Sequence, residues 1–95
     1  MLLTEPNDIF LNYALGLELA RNVETFSDAE MQFTKVLNLD ENYIAALYQL
    51  GKLYESHKKN ETALSCYRNG LEKAKILKDN RAINEFGEAI FILED

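Results

Sequence analysis

Residues 47–54 read Leu-Tyr-Gln-Leu-Gly-Lys-Leu-Tyr, and a related pattern lies on either side of them in the chain. Residues 12–19 again place Leu-Gly at the fourth and fifth positions, and residues 83–90 place Phe-Gly there. The three glycines, Gly16, Gly51 and Gly87, are 35 and then 36 residues apart. A small residue that recurs beside a large apolar one at a nearly constant interval indicates an internal repeat.

A second pattern alternates with the first. Ala29 precedes Phe33 by four residues, and Ala63 precedes Tyr67 by the same interval, 34 residues further along the chain. Apolar residues follow both alanines at helical spacings of three and four, and no segment alternates strictly as a surface strand does. The chain is therefore predicted to be all-α. Five helices are expected, at about residues 8–21, 27–39, 43–56, 61–77 and 80–94.

The helix starts carry recognisable caps. Ser27 and Glu30 have the spacing of a capping box, in which each side chain satisfies a backbone N–H of the first turn. Asn60 is predicted to cap the fourth helix, Asp8 or Asn7 the first, and Asp79 or Asn80 the fifth. Gly70 lies inside the fourth helix, where glycine costs about 1 kcal/mol relative to alanine. It should therefore lie either at a helix crossing or at an exposed helix end.

These motifs resemble the tetratricopeptide repeat family, whose 34-residue unit combines a Leu-Gly-x2-Tyr stretch with an Ala-x3-aromatic stretch. The resemblance implies a right-handed stack of helical hairpins forming one domain over residues 1–95. Repeat one covers about residues 9–41, repeat two about 44–75, and a capping helix about 80–94. The chain departs from the family at Asn12 and Leu19, and at Glu41 and Lys75, where the family has proline. Residues 6–8 resemble the end of a preceding repeat, so the sequence does not decide whether these repeats belong to a longer array.

In this family the first helices of successive repeats line a concave groove that holds a peptide or a helix of another protein. The resemblance places Ala14, Ala45, Asn84 and Glu88 on that groove. It also places there the candidate binding residues, which are Phe10, Tyr13, Leu17, Tyr48, Gln49, Lys52 and Arg81. Spacing supports part of this set, because Phe10, Tyr13 and Leu17 recur at three and four on a helix side that Leu15 does not share.

Two other interpretations account for the same apolar stripe. Phe10 and Tyr13 could pack against Leu2 and Leu3, or the stripe could be buried in a homodimer, since two repeats are few. Some members of the family bind a terminal carboxylate through polar groove residues. Tyr13, Leu17 and Gln49 replace three of those residues here, which predicts an apolar or aromatic ligand instead.

Charge and composition narrow the function further. The chain of 95 residues has a formal net charge of −6, with eight acids and two bases in residues 1–51 and eight of each afterwards. An acidic chain is a poor ligand for nucleic acid and would attract a basic protein partner. The sequence shows neither a stretch that could span a membrane nor a secretory signal, so a cytoplasmic location is expected.

Few residues of this chain could bind a metal ion or a phosphate group, or act as a nucleophile. A single Cys and a single His cannot form a zinc site of the usual Cys/His kind, and the four glycines stand singly, without a phosphate-binding loop. Cys66 has no base at helical spacing beside it that would activate it as a nucleophile. The sequence therefore predicts a non-catalytic interaction module that needs no cofactor.

Overall fold

The computed structural model describes residues 7–94, and that part of the chain contains helices and no strand. A short 3₁₀ helix, Val23–Thr25, precedes the second of five α-helices. The α-helices are α1 (Ile9–Leu19), α2 (Phe26–Leu39), α3 (Ile44–Ser56), α4 (Asn60–Leu77) and α5 (Asn80–Glu94). The predicted all-α class is confirmed. Residues 1–6, which include Leu2, Leu3 and Pro6, lie outside the described residues, so the predictions that involve them stay predictions.

Each helix packs on the next one in the chain, which is the order expected of stacked helical hairpins. Two apolar clusters form the core: one joins α2 to α3 with partly buried residues of α1, and the other joins α3, α4 and α5. Leu37 and Tyr54 border both clusters, so the core is continuous along the stack. None of the helices within residues 7–94 has the length and apolar character required to cross a bilayer.

The recurring glycines are the places where an aromatic ring reaches a helix backbone. A Cβ atom added at Gly16 would lie 2.6 Å from the Phe33 ring, and one added at Gly51 would lie 2.3 Å from the Tyr67 ring. Both rings are fully buried. Only a residue without a side chain permits such an approach, so each Leu-Gly pair and the aromatic residue that follows it belong to one packing contact.

Gly70 repeats this arrangement between α4 and α5. A Cβ atom there would lie 2.3 Å from the Phe86 ring, so the glycine lies at a helix crossing and not at an exposed helix end. The packing gain at this crossing explains why a residue with low helix propensity occurs inside an 18-residue helix.

Two of the predicted caps are confirmed. The Leu11 N–H donates to the Asp8 carboxylate over 2.9 Å at the start of α1, and the Ala82 N–H donates to Asp79 over 3.1 Å at the start of α5. The starts of the second, third and fourth helices shift by one residue, while their ends and both bounds of the fifth helix are as predicted. The predicted first helix ends at Leu19 instead of Arg21, because the chain turns at Ala20 into the 3₁₀ helix.

The capping box at Ser27 is wrong. The 3₁₀ helix leads directly into α2, which begins at Phe26, so Ser27 already lies inside the helix. Glu30 instead accepts a hydrogen bond from the Tyr54 hydroxyl of α3. Asn60 as a cap is also wrong: α4 begins at Asn60 itself, after Lys58 has taken a left-handed conformation with φ of 61°.

Candidate functional site

A cavity of about 320 Å³ opens where α3 faces the middle of α1 and the start of α5. Its walls mix aromatic rings, small apolar groups and charged side chains. The lining residues are Tyr13, Ile44, Ala45, Tyr48, Gln49, Asp79, Arg81, Ala82, Glu85 and Phe86.

A second cavity of about 250 Å³ follows between α3, α4 and α5. Tyr48 borders both cavities, so the two are adjoining parts of one depression. The second cavity is lined by Tyr48, Lys52, Glu55, Tyr67, Glu88, Ala89 and Ile92. We refer to the residues that line the two cavities as the groove.

The structure brings five of the seven candidate residues together. Tyr13, Tyr48, Gln49 and Arg81 line the first cavity, and Lys52 lines the second. The other two line neither cavity. Phe10 and Leu17 lie on α1, three residues before and four residues after Tyr13, with 67% and 37% of their surface exposed. They extend the face of α1 that carries Tyr13 beyond the cavity.

The aromatic walls of the groove are continuous with the core. The Tyr13 ring lies 5.9 Å from Phe33 and 5.2 Å from Tyr43, measured between ring centres. The Tyr48 ring lies 5.6 Å from Phe86, nearly edge to face. Rings held by such contacts keep their positions without a ligand, so the groove is preformed. Burial raises the pKa of the Tyr13 phenol above its usual value, and the phenol is therefore neutral near pH 7.

Acidic groups outnumber basic groups along the groove. The first cavity places Asp79 and Glu85 beside Arg81, and the second places Glu55 and Glu88 beside Lys52. Both bases already have partners. The Arg81 Nε lies 3.4 Å from a Glu85 carboxylate oxygen, and the Lys52 Nζ lies 5.9 Å from the centre of the Tyr48 ring. The groove therefore presents a net negative charge around aromatic walls.

Sequence reasoning missed Asp79, Glu85 and Glu55 as groove residues. The sequence predicts Asp79 as a helix cap, and Asp79 also fills that role. Glu85 lies four residues after Arg81, and the i,i+4 spacing of an ion pair could have indicated that Glu85 lies beside Arg81 in the groove. Glu55 gave no signal, because only the packing of α4 on α3 brings it to Tyr67.

Tyr67 joins the groove to the core through one polar contact. Its hydroxyl donates to a Glu55 carboxylate oxygen over 2.8 Å, while its ring is fully buried against Gly51. Burial, first, and the Glu55 carboxylate, second, raise the pKa of Tyr67 well above 10. The same two causes, with Glu30 as the carboxylate, raise the pKa of Tyr54.

These shifts predict a loss of stability in alkali. A phenol whose pKa is higher in the folded state than in the unfolded state stabilises the fold fully below about pH 10 and progressively less above it. We expect the free energy of unfolding to fall above pH 10. The Tyr67→Phe variant should show a shallower fall, by up to about 1.4 kcal/mol per pH unit. Urea denaturation at a series of pH values tests this, and equal slopes for both proteins would contradict it.

The remaining reactive side chains are packed. Burial raises the pKa of the Cys66 thiol, which lowers its thiolate fraction and hence its reactivity. The His57 ring centre lies 4.1 Å from that of Phe26, in the turn after α3. Within residues 7–94, no three His, Cys, Asp or Glu side chains are grouped so that they could hold a metal ion.

Comparison with known proteins identifies close structural relatives. The chain is similar to a tetratricopeptide repeat domain protein from Salinibacter ruber solved by solution NMR, with 30% sequence identity and a TM-score of 0.85 over 94% of this chain and 89% of that one. It is also similar to a crystal structure of a tetratricopeptide repeat domain protein from the same organism, with 30% identity and a TM-score of 0.80 over 92% and 96%. Neither a scan with protein-family models nor a search of curated proteins finds a match.

Proposed function

Because the chain belongs to the tetratricopeptide repeat family, we propose that it is a non-catalytic protein-interaction module that binds a peptide or helix of another protein in the groove. The groove lining supports a binding role over a catalytic one. It contains neither histidine nor cysteine among the described residues, and its carboxylates lie beside bases instead of facing a nucleophile. The observation that carries the proposal is the pair of adjoining cavities with aromatic walls and acidic rims.

The chemistry of the groove defines the ligand. Tyr13, Tyr48 and Phe86 offer ring surface to apolar or aromatic side chains. Asp79, which lines the first cavity, adds negative charge that would attract Lys or Arg. A terminal carboxylate would be a poor ligand, because Asp79 and Glu85 outnumber Arg81 in the first cavity and would repel it. We therefore propose a segment that combines an aromatic or large apolar anchor with basic residues.

Selection of peptides from a displayed random library tests this ligand class. We expect the enriched peptides to carry aromatic residues together with Lys or Arg. Their affinity should fall as ionic strength rises from about 0.05 M to about 0.5 M, because the surface attraction is screened. Failure to enrich any sequence, or enrichment of acidic peptides, would overturn the proposed function.

A blocking variant locates the binding site without removing a ring from the core. Ala45 is exposed and lines the first cavity, so Ala45→Arg should fill the space between Tyr13 and Arg81 and weaken binding by at least about tenfold. Met31→Arg is the matched control, because Met31 is 65% exposed on α2 and lines neither cavity. Calorimetric titration of both variants with a selected peptide measures the effect. Equal affinities would place binding elsewhere.

A second copy of the chain is the alternative occupant of the same groove. The exposure of Phe10 and Leu17 beside the groove favours it, since a dimer would bury both side chains. In that case Ala45→Arg would convert a dimer into a monomer in sedimentation experiments, and the selected peptides would compete with self-association.

A further inference from the structure

The capping helix α5 has a glycine that no aromatic ring covers, although rings cover the corresponding glycines of α1 and α3. Gly16 is covered by Phe33 and Gly51 by Tyr67, each ring coming from the helix that follows the glycine. Gly87 has the same place in the third Leu-Gly-like stretch, but apart from its chain neighbours and the backbone of α5 no described atom lies within 4 Å of the position that its Cβ would take. The internal repeat therefore specifies what fits over Gly87: an aromatic ring presented by a helix.

An exposed aromatic ring lies on the same side of α5. Phe91 follows Gly87 by one helical turn and is 73% exposed. Asn84, which the resemblance places on the groove, lines neither cavity. The helical period brings Asn84 and Glu94 to the side of Phe91, whereas Ala82 and Phe86 face α4 and are buried. We name Asn84, Gly87, Phe91 and Glu94 the α5 outer face.

We propose that the α5 outer face pairs with the α5 outer face of a second copy, antiparallel and about a two-fold axis near residue 89. Such an axis places Phe91 of each copy opposite Gly87 of the other, so both open glycines are covered at once. Isologous dimers require this reciprocity, in which residue i meets residue j and j meets i. The contact reproduces the packing that Phe33 makes on Gly16 and Tyr67 makes on Gly51 within the chain.

The charges of α5 are compatible with this pairing. The axis brings Glu94 opposite the Asn84 amide of the second copy, not opposite another carboxylate. Glu94 also pairs with Arg68 of α4, which offsets its charge. The pairing goes beyond the proposed function because it leaves the groove open: Arg81, Glu85 and Ile92 line the groove from a different side of α5.

Sedimentation velocity of the full chain over a range from about 5 to about 500 μM is the first test. An interface made by one helix from each copy is small, so we expect a dissociation constant above about 10 μM. Gly87→Ala should weaken the dimer by about tenfold or more, because the new Cβ would meet Phe91 of the second copy. Phe91→Glu should abolish dimerisation. A wild-type chain that stays monomeric throughout overturns the proposal, as does a dimer that both variants retain.

Gly87→Ala is informative because the fold of one copy should tolerate it. The added methyl group enters open space, so thermal unfolding of the variant should occur at the same temperature as in the wild type or a higher one, while the dimer weakens. Ala45→Arg separates the two proposals: it blocks the groove and leaves the α5 outer face intact. If Ala45→Arg alone converts the dimer to a monomer, association runs through the groove and the α5 pairing is wrong.

Disulfide trapping tests the antiparallel register. In a Cys66→Ser background, a mixture of Asn84→Cys and Glu94→Cys chains should form a cross-linked heterodimer under mild oxidation. Neither chain alone should cross-link efficiently, because identical positions lie about three helical turns apart along the paired helices. Cross-linking of either single variant as fast as the mixture, or of none, contradicts the register.

Discussion

Replacing Tyr67 with alanine is expected to destabilise the protein by about 3–5 kcal/mol, the range for deleting a fully buried aromatic ring. The ring fills the space over Gly51 and lies 5.9 Å from Tyr48 and 6.5 Å from Phe86, between ring centres. Its removal would leave a cavity where α3, α4 and α5 meet. A domain of this size has a free energy of unfolding of only about 5–15 kcal/mol. The loss of the ring would therefore remove a large fraction of the stability.

Tyr67→Phe is the matched control for this change. It keeps the ring and removes only the hydroxyl that donates to Glu55, so we expect a loss of about 0.5–1.5 kcal/mol. Urea denaturation followed by helical circular dichroism measures both variants. If the alanine variant lost no more stability than the phenylalanine variant, the ring would not be the main contact between the helices.

Replacing Gly70 with leucine is expected to cost about 3 kcal/mol, at the upper end of the range for overpacking a core. Its Cβ alone would lie 2.3 Å from the Phe86 ring, and that ring has little freedom to move because Tyr48 and Tyr67 pack against it. Relief would require α5 to shift away from α4.

Gly87→Leu provides the comparison at another helical glycine. Nothing lies within 4 Å of its Cβ position, so the substitution should be neutral or stabilising by up to about 1 kcal/mol through helix propensity. Thermal unfolding at low protein concentration isolates the fold of one copy from self-association. Equal losses at Gly70 and Gly87 would mean that the close approach of Phe86 at the helix crossing does not set the cost.

The repeat could be read from the sequence because its contacts are local and recur. Gly51 and Tyr67 are 16 residues apart, and Gly16 and Phe33 are 17 apart, so the same pair of motifs occurs in both hairpins. The caps at Asp8 and Asp79 were predictable for the same reason, since each bonds a backbone N–H three residues away. The capping box at Ser27 failed because the preceding 3₁₀ helix, which sequence spacing did not indicate, starts α2 one residue earlier.

The groove depended on contacts between helices that are distant in the chain. The side of α3 that carries Tyr48 and Gln49 could be assigned from the resemblance. Asp79 lines the groove only because the start of α5 packs close to α3, where Phe86 meets Tyr48. Phe10 and Leu17 lie on the same side of α1 as Tyr13, but they line neither of the two cavities.

Residue spacing alone thus specified an all-α chain of helical hairpins with small residues at the crossings, because a helix has a fixed period and each hairpin closes over a short loop. Tertiary packing alone distinguished Gly70, which is covered by Phe86, from Gly87, which is open. Both glycines lie in helices of similar pattern. Their environments differ because α5 covers α4, whereas no described helix follows α5.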